Sequence, residues 1–267
     1  SISFESLKNL KSGGFTRVSF GVQSTDDETL KILGRRHTAL DAFTAINDAN
    51  YAGFKHISAD LMLAVPSQTK EKVIKDIEEL SKLPLDHISA YILKLEPNTA
   101  FYKLYTDLDD DISADFYLTA VEELENKGFC QYEISNFAKS EGSQSRHNLK
   151  YWLLDDYLGI GPSAHSLIDK KRFYFERNLG AFIKSPHIWN DTCFESDGNT
   201  EEEKIMLNLR LKSGLDCNSL GEIGKRIIKH GENPKFNGFL KIKNGVISLT
   251  PRGFLISNLI ISEFISL

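Results

Sequence analysis

Gln23 closes the stretch Thr16-Arg17-Val18-Ser19-Phe20-Gly21-Val22-Gln23-Ser24, in which Val18, Phe20 and Val22 alternate with smaller or polar residues. The alternation predicts a strand, and Gly21 lets backbone or ligand approach closely. At the carboxyl end of a strand in a parallel α/β sheet, an amide stands where ligands bind. Asp60 is expected on the same side of the next strand and Arg35 in the loop region between them, so the three side chains are expected to converge on one mouth. A carboxylate and an amide suit ribose hydroxyls, and a guanidinium suits a carboxylate. An Arg35–Asp60 structural ion pair is the competing use of the same charges.

A second group lies further on. Ser143 to Trp152 reads as a polar turn that passes abruptly into aromatics and carries His147, Tyr151 and Trp152. A lone histidine is more often a hydrogen-bonded structural residue than a metal ligand. His165, after Gly161-Pro162-Ser163-Ala164, is a weaker candidate and is expected to be a packed residue under a barrel mouth. Cys130, Cys193 and Cys217 are scattered without a Cys-x-x-Cys pair, so neither a disulfide framework nor a zinc or iron–sulfur site follows from local spacing. A reduced, cytoplasmic chain is expected. The net charge of -5 argues against nucleic acid as the main partner. No apolar run is long enough for a transmembrane segment, and the first residues have no secretory core.

These groups need elements to hold them. Helices are expected from Ser3 to Leu10, after a Thr25–Glu28 capping box, from Leu40 to Tyr51, from Thr69 to Leu83 and from Ala114 to Lys127. Strands are expected at Thr16–Gln23, His56–Val65 and His87–Leu93, with Phe129–Phe137 extended. Strand–helix units repeated in this way predict a parallel sheet amounting to part of a barrel, whose first strand would have an unpaired edge. That edge is expected to be covered by other residues of the chain or by self-association with a neighbouring chain. Beyond Thr200, helices at Glu201–Leu211 and Cys217–Lys229, a hairpin turning at Asn244-Gly245 and a last helix capped by Thr250 predict a winged-helix-like unit. The chain opens inside a predicted helix without an initiating Met, as expected of a piece of a longer protein.

Several motifs occur in order: Gly21-Val22-Gln23-Ser24, Leu33-Gly34-Arg35-Arg36-His37, Asp60-Leu61 with Val65-Pro66, His87-Ile88-Ser89-Ala90-Tyr91, Glu96-Pro97-Asn98-Thr99, Tyr132-Glu133-Ile134-Ser135-Asn136-Phe137 and His147-Asn148-Leu149-Lys150-Tyr151-Trp152. Together they resemble the oxygen-independent coproporphyrinogen III oxidase family of radical S-adenosylmethionine proteins, and more closely its haem-chaperone-like branch. The resemblance implies an α/β fold: the C-terminal half of a partial (β/α) radical SAM barrel (residues 1–110), an added α+β region (111–190) and a winged-helix-like C-terminal domain (191–267). It implies that Gln23, Arg35 and Asp60 contact S-adenosylmethionine, and that His147, Tyr151 and Trp152 meet haem, with His147 as a haem-iron ligand. The family also holds a 4Fe-4S cluster on a Cys-x-x-x-Cys-x-x-Cys loop, which this sequence lacks. The implied partners are a porphyrinogen or haem and a haem-accepting protein. Two functions follow as expectations: a part of a porphyrinogen-decarboxylating oxidoreductase that is not competent for radical chemistry as given, or a haem chaperone without that activity.

Overall fold

The computed structural model describes residues 2–105, 109–184 and 192–267. Residues 1–144 and 145–267 pack as two compact units. The expected division at 110 and 190 is a finer statement than this grouping, and its second boundary lies outside the described residues.

The first unit runs α1 (Phe4–Ser12), β1 (Arg17–Gln23), α2 (Asp27–Ile32), α3 (Ala39–Tyr51), β2 (His56–Leu63), α4 (Lys70–Ser81), β3 (His87–Ile92), α5 (Ala100–Leu104), α6 (Asp110–Asn126), β4 (Cys130–Gln131) and β5 (Asn136–Ala138). Its sheet has the order β1-β2-β3-β5-β4. The first three strands are parallel, as βαβ units require, and β5 and β4 return antiparallel. The segment expected to be extended from Phe129 to Phe137 is thus two short strands around a reversal. One sheet face carries Val22, Ile57, Ala59, Leu61, Leu63, Ile88 and Ala90, all buried beneath Ile46 of α3, Val73, Ile77 and Leu80 of α4 and Phe116, Ala120 and Leu124 of α6. Each large side chain so covered contributes about 1.5–3 kcal/mol. Strand alternation then forces Ser58, Asp60, His87 and Ser89 onto the opposite face.

One expectation fails here for a physical reason. Asp26, not Thr25, caps α2, accepting from the Thr29 amide. Asp76 of α4 is buried and needs donors, so it takes the Thr25 amide at 2.7 Å, the Thr25 hydroxyl at 2.6 Å and the Ser24 hydroxyl at 2.8 Å. The outer edge of β1 has no strand partner among the described residues, and His37 Nε2 lies 3.2 Å from the Val22 carbonyl of that strand. The Arg17 side chain reaches from that strand to the carbonyls of Ser143 and Gln144.

The second unit contains α7 (Arg146–Leu153), β6 (His165–Ile168), β7 (Lys171–Phe175), α8 (Leu179–Lys184), β8 (Thr192–Asp197), α9 (Glu201–Asn208), β9 (Leu215–Asp216), α10 (Gly221–Gly231), β10 (Leu240–Lys243), β11 (Val246–Leu249), α11 (Pro251–Leu255) and α12 (Ser257–Ile265). Strands β6, β7 and β8 form one antiparallel sheet, and β10, β11 and β9 another. Arg172 of β7 pairs with Glu203 of α9 at 2.7 Å, both largely withdrawn from solvent, and its guanidinium also donates to the Tyr157 hydroxyl. Asn244 and Gly245 both take positive φ, and the hairpin turns there as expected. The expected helix from Cys217 is instead a 3-10 turn, Cys217–Leu220, broken at Gly221 (φ 56°) before α10. The expected last helix is interrupted at Ile256, which separates α11 from α12.

Gly224 shows why α10 can sit where it does. A Cβ on it would lie 1.9 Å from the Cys217 carbonyl oxygen, so backbone meets backbone. Gly224→Ala is expected to destabilise this unit by about 1–3 kcal/mol, the range for overpacking. A urea midpoint equal to that of the parent protein would contradict this contact.

Candidate functional site

Asp60 is the fifth residue of β2. Ser19 of β1 donates to its Oδ1 at 3.1 Å, and Ser89 of β3 bonds it from the other side. Burial raises its pKa above the ordinary carboxylate value, and these hydroxyl bonds offset only part of the rise. A bulge between Phe20 and Gln23 brings Gln23 opposite Leu61, the neighbour of Asp60.

Gln23 holds a left-handed backbone conformation (φ 71°) that non-glycine residues seldom adopt, and its side chain is buried. Among the described residues its Oε1 has no hydrogen-bond partner, and a buried amide oxygen left so costs free energy until a donor arrives. A Cβ at residue 21 would stand 2.9 Å from the Gln23 Nε2, so Gly21 makes room for this amide. Arg35 follows α2 with its side chain exposed, and among the described residues it forms no ion pair with Asp60. The structural-pair alternative is therefore not realised.

The same face carries residues the sequence did not single out for a role. His87 sits between the Ser58 hydroxyl (Nδ1, 2.7 Å) and the Tyr132 hydroxyl (Nε2, 2.8 Å). Burial and then the Arg17 charge push its pKa down to about 3, so the imidazole is neutral. Asn136 of β5 bonds the Tyr91 hydroxyl, while its own Oδ1 is buried without a partner among the described residues. A signal was present in the sequence: Ser58 and Asp60 in β2, and His87, Ser89 and Tyr91 in β3, recur at period two inside strands that a fully buried parallel sheet would fill with apolar residues.

The run expected to be a turn, Ser143 to Trp152, is in large part the helix α7, with Ser145 as its cap. Helical geometry brings His147 and Tyr151, four residues apart, onto one exposed face. The Tyr151 hydroxyl and His147 Nε2 are 3.1 Å apart, the rings meet edge to face, and Tyr151 meets Tyr157 in the same way. Trp152, five residues from His147, turns away from that face and is half-buried, and its carbonyl accepts from Asn208 of α9. His165 is no packed residue under a barrel mouth. It stands half-exposed on β6, stacked on Tyr174, with Nδ1 3.0 Å from Glu195 Oε2.

The radical SAM superfamily profile matches residues 2–80. The protein named heme chaperone HemW in Bacillus subtilis (strain 168) is 32% identical over 279 residues, covering 99% of this chain and 73% of that protein. Its namesake in Haemophilus influenzae is 41% identical over 196 residues, covering 71% and 51%. Among solved structures, coproporphyrinogen III oxidase (HemN) from Escherichia coli, a radical SAM enzyme, matches with a TM-score of 0.78 at 19% identity, over 99% of this chain and 67% of that one, a likeness of fold. The fold is that of a radical SAM α/β protein. The chain belongs to the oxygen-independent coproporphyrinogen III oxidase-like family of radical SAM proteins, in its HemW branch. It spans between about half and three quarters of the length of these relatives.

The family implies a 4Fe-4S cluster and S-adenosylmethionine, and the residues present fit them differently. Cys130 is exposed on β4, Cys193 lies on β8 and Cys217 is buried in the turn before α10. Cluster iron requires grouped thiolates, and among the described residues no three His, Cys, Asp or Glu side chains are grouped to hold a metal. The cluster does not fit these residues. A donor-bearing ligand such as S-adenosylmethionine, with its ribose hydroxyls and ammonium group, does fit beside the unpaired Gln23 Oε1.

Proposed function

We propose that the chain acts in haem handling: it binds haem as cargo for delivery to a haem-accepting protein and does not oxidise coproporphyrinogen. The observation that carries this reading is the exposed His147–Tyr151 pair on α7, in a chain matched over 99% of its length by a protein named a heme chaperone. Imidazole is a common haem-iron ligand and aromatic rings flank the macrocycle, so His147, Tyr151 and Trp152 are the proposed haem contacts. Gln23, Arg35 and Asp60 form the proposed S-adenosylmethionine wall. S-adenosylmethionine would supply the sulfonium chemistry of the family; here Gln23 Oε1 and the Asp60 carboxylate accept hydroxyl or ammonium hydrogens, and Arg35, free of an ion pair with Asp60, is left for a carboxylate. Among the described residues no helix is long and apolar enough to cross a membrane, and the proposed setting is cytoplasmic.

Haem titration tests the reading. The chain is expected to give a saturable Soret change, and His147→Ala to saturate only at several-fold higher haem. Identical titration curves would remove His147 from the site. The second reading, oxidative decarboxylation of a porphyrinogen, is favoured by the HemN-like fold. After treatment with iron and sulfide, the chain is expected to show neither cluster absorption nor coproporphyrinogen turnover; turnover would establish the second reading.

A further inference from the structure

The polar face of the first unit's sheet continues past Asp60 onto β3 and β5. Register sets Asp60 beside Ser89 and Ser89 beside Asn136, so the three side chains share one level of that face. Tyr91 follows two residues further toward the carboxyl end of β3, on the same face. Resting on the reading of Gln23 and Asp60 as an S-adenosylmethionine wall, we propose that Asn136 and Tyr91 complete it as an adenine subsite, Asn136 reading the edge of the base and Tyr91 its face.

The directions of the hydrogen bonds lead to Asn136. The Asp60 carboxylate only accepts, so the Ser89 hydroxyl donates to it. The Ser89 oxygen then accepts from the Tyr91 hydroxyl, and the Tyr91 oxygen accepts from Asn136 Nδ2. The amide is thereby oriented. Its Oδ1 is the end of the chain left without a donor among the described residues, on a side chain only 3% exposed. A buried acceptor in that position is satisfied by an N–H or O–H group of a ligand.

Two further observations fix the class of ligand. Gln23 Oε1 is in the same condition, so in strand order the acceptors stand on β1, β2 and β5, the outer two about 14 Å apart across the sheet. Their order, amide, carboxylate, amide, is that of the donors along an extended S-adenosylmethionine: ammonium, ribose hydroxyls, adenine 6-amine. Tyr91 lies between Asp60 and Asn136 in that order and is 39% exposed, which offers a ring for the base to stack on. An amide that accepts from the 6-amine and keeps a second Nδ2 hydrogen for N7 is the pairing by which asparagine reads adenine. A 6-oxo purine would set oxygen against oxygen there.

Equilibrium dialysis of the chain with adenosine, inosine and S-adenosylmethionine tests the assignment, alongside Asn136→Leu, Tyr91→Ala and Gln23→Leu. The parent chain is expected to hold adenosine on the order of 10- to 100-fold more tightly than inosine. Asn136→Leu should lose that preference. Its urea midpoint should equal or exceed the parent's, because a buried oxygen without a donor is gone; a merely structural asparagine would give a lower midpoint and an unchanged preference. Tyr91→Ala should weaken both nucleosides alike, by roughly 10-fold, since stacking accepts either base. Equal affinity of the parent for adenosine and inosine, or an undiminished preference in Asn136→Leu, would overturn the subsite; weaker S-adenosylmethionine binding in Gln23→Leu would in that case leave the wall standing. A parent chain that binds none of the three ligands would overturn both.

Discussion

Below about pH 6.5 the protein is expected to lose stability at about 1.4 kcal/mol per pH unit through His87 alone. Burial and the Arg17 charge hold the folded imidazole neutral to about pH 3, whereas the unfolded chain takes up a proton near the ordinary value of 6.5. Protons therefore favour the unfolded state throughout that window. The contribution is whole above the unfolded pKa and drains as pH falls toward the folded one, to a total of about 5 kcal/mol. Asp60 and Asp76 act in the opposite sense, because burial raises their folded pKa values and the folded state gains a proton before the unfolded one does. The readout is therefore a difference. Urea unfolding of the parent and of His87→Gln, which cannot titrate, should give a steeper acid slope for the parent. His87→Gln itself should cost about 2–3 kcal/mol near neutrality by disturbing bonds to Ser58 and Tyr132. Equal slopes would show that His87 is not a buried neutral bridge.

Asp76→Ala is expected to be the most damaging single change in the first unit. It removes a carboxylate that satisfies the Ser24 hydroxyl and both the amide and hydroxyl of Thr25, leaving these donors in a largely buried place. The cost should be about 3 kcal/mol or more, and the midpoint of thermal unfolding should fall by roughly 10 °C. Asp76→Asn, which keeps an acceptor, should lose less. The consequence reaches the candidate site, because Ser24 and Thr25 directly follow Gln23. Slackening that loop frees Gln23 from its left-handed conformation and is expected to weaken any ligand held by its Oε1. A thermal midpoint in Asp76→Ala within a degree or two of the parent would refute this role.

Much of the parallel half of the fold was legible because its signals are local. The alternation in Arg17–Gln23, the apolar stripe of Val73, Ile77 and Leu80, and the turn at Asn244-Gly245 each report on neighbours in sequence. The errors arose where a distant group decided the outcome. Thr25 reads as a cap until Asp76, on another helix, claims it. Ser143 to Trp152 reads as a turn because its polar residues conceal the cap at Ser145, and the helix then sorts His147 with Tyr151 and away from Trp152.

The sequence by itself determined which residue types were available for chemistry: the amide and carboxylate of Gln23 and Asp60, the histidines of the second unit, and thiols too scattered for a cluster. Register and packing decided which of them meet. A bulge in β1 sets Gln23 opposite Leu61, the chain neighbour of Asp60, while Arg35 stays exposed on its loop. Antiparallel pairing sets His165 opposite Tyr174, and β8 brings Glu195 to its Nδ1 across 30 residues. Such pairings depend on strand alignment and burial over long separations, and residue spacing along the chain carries no record of them.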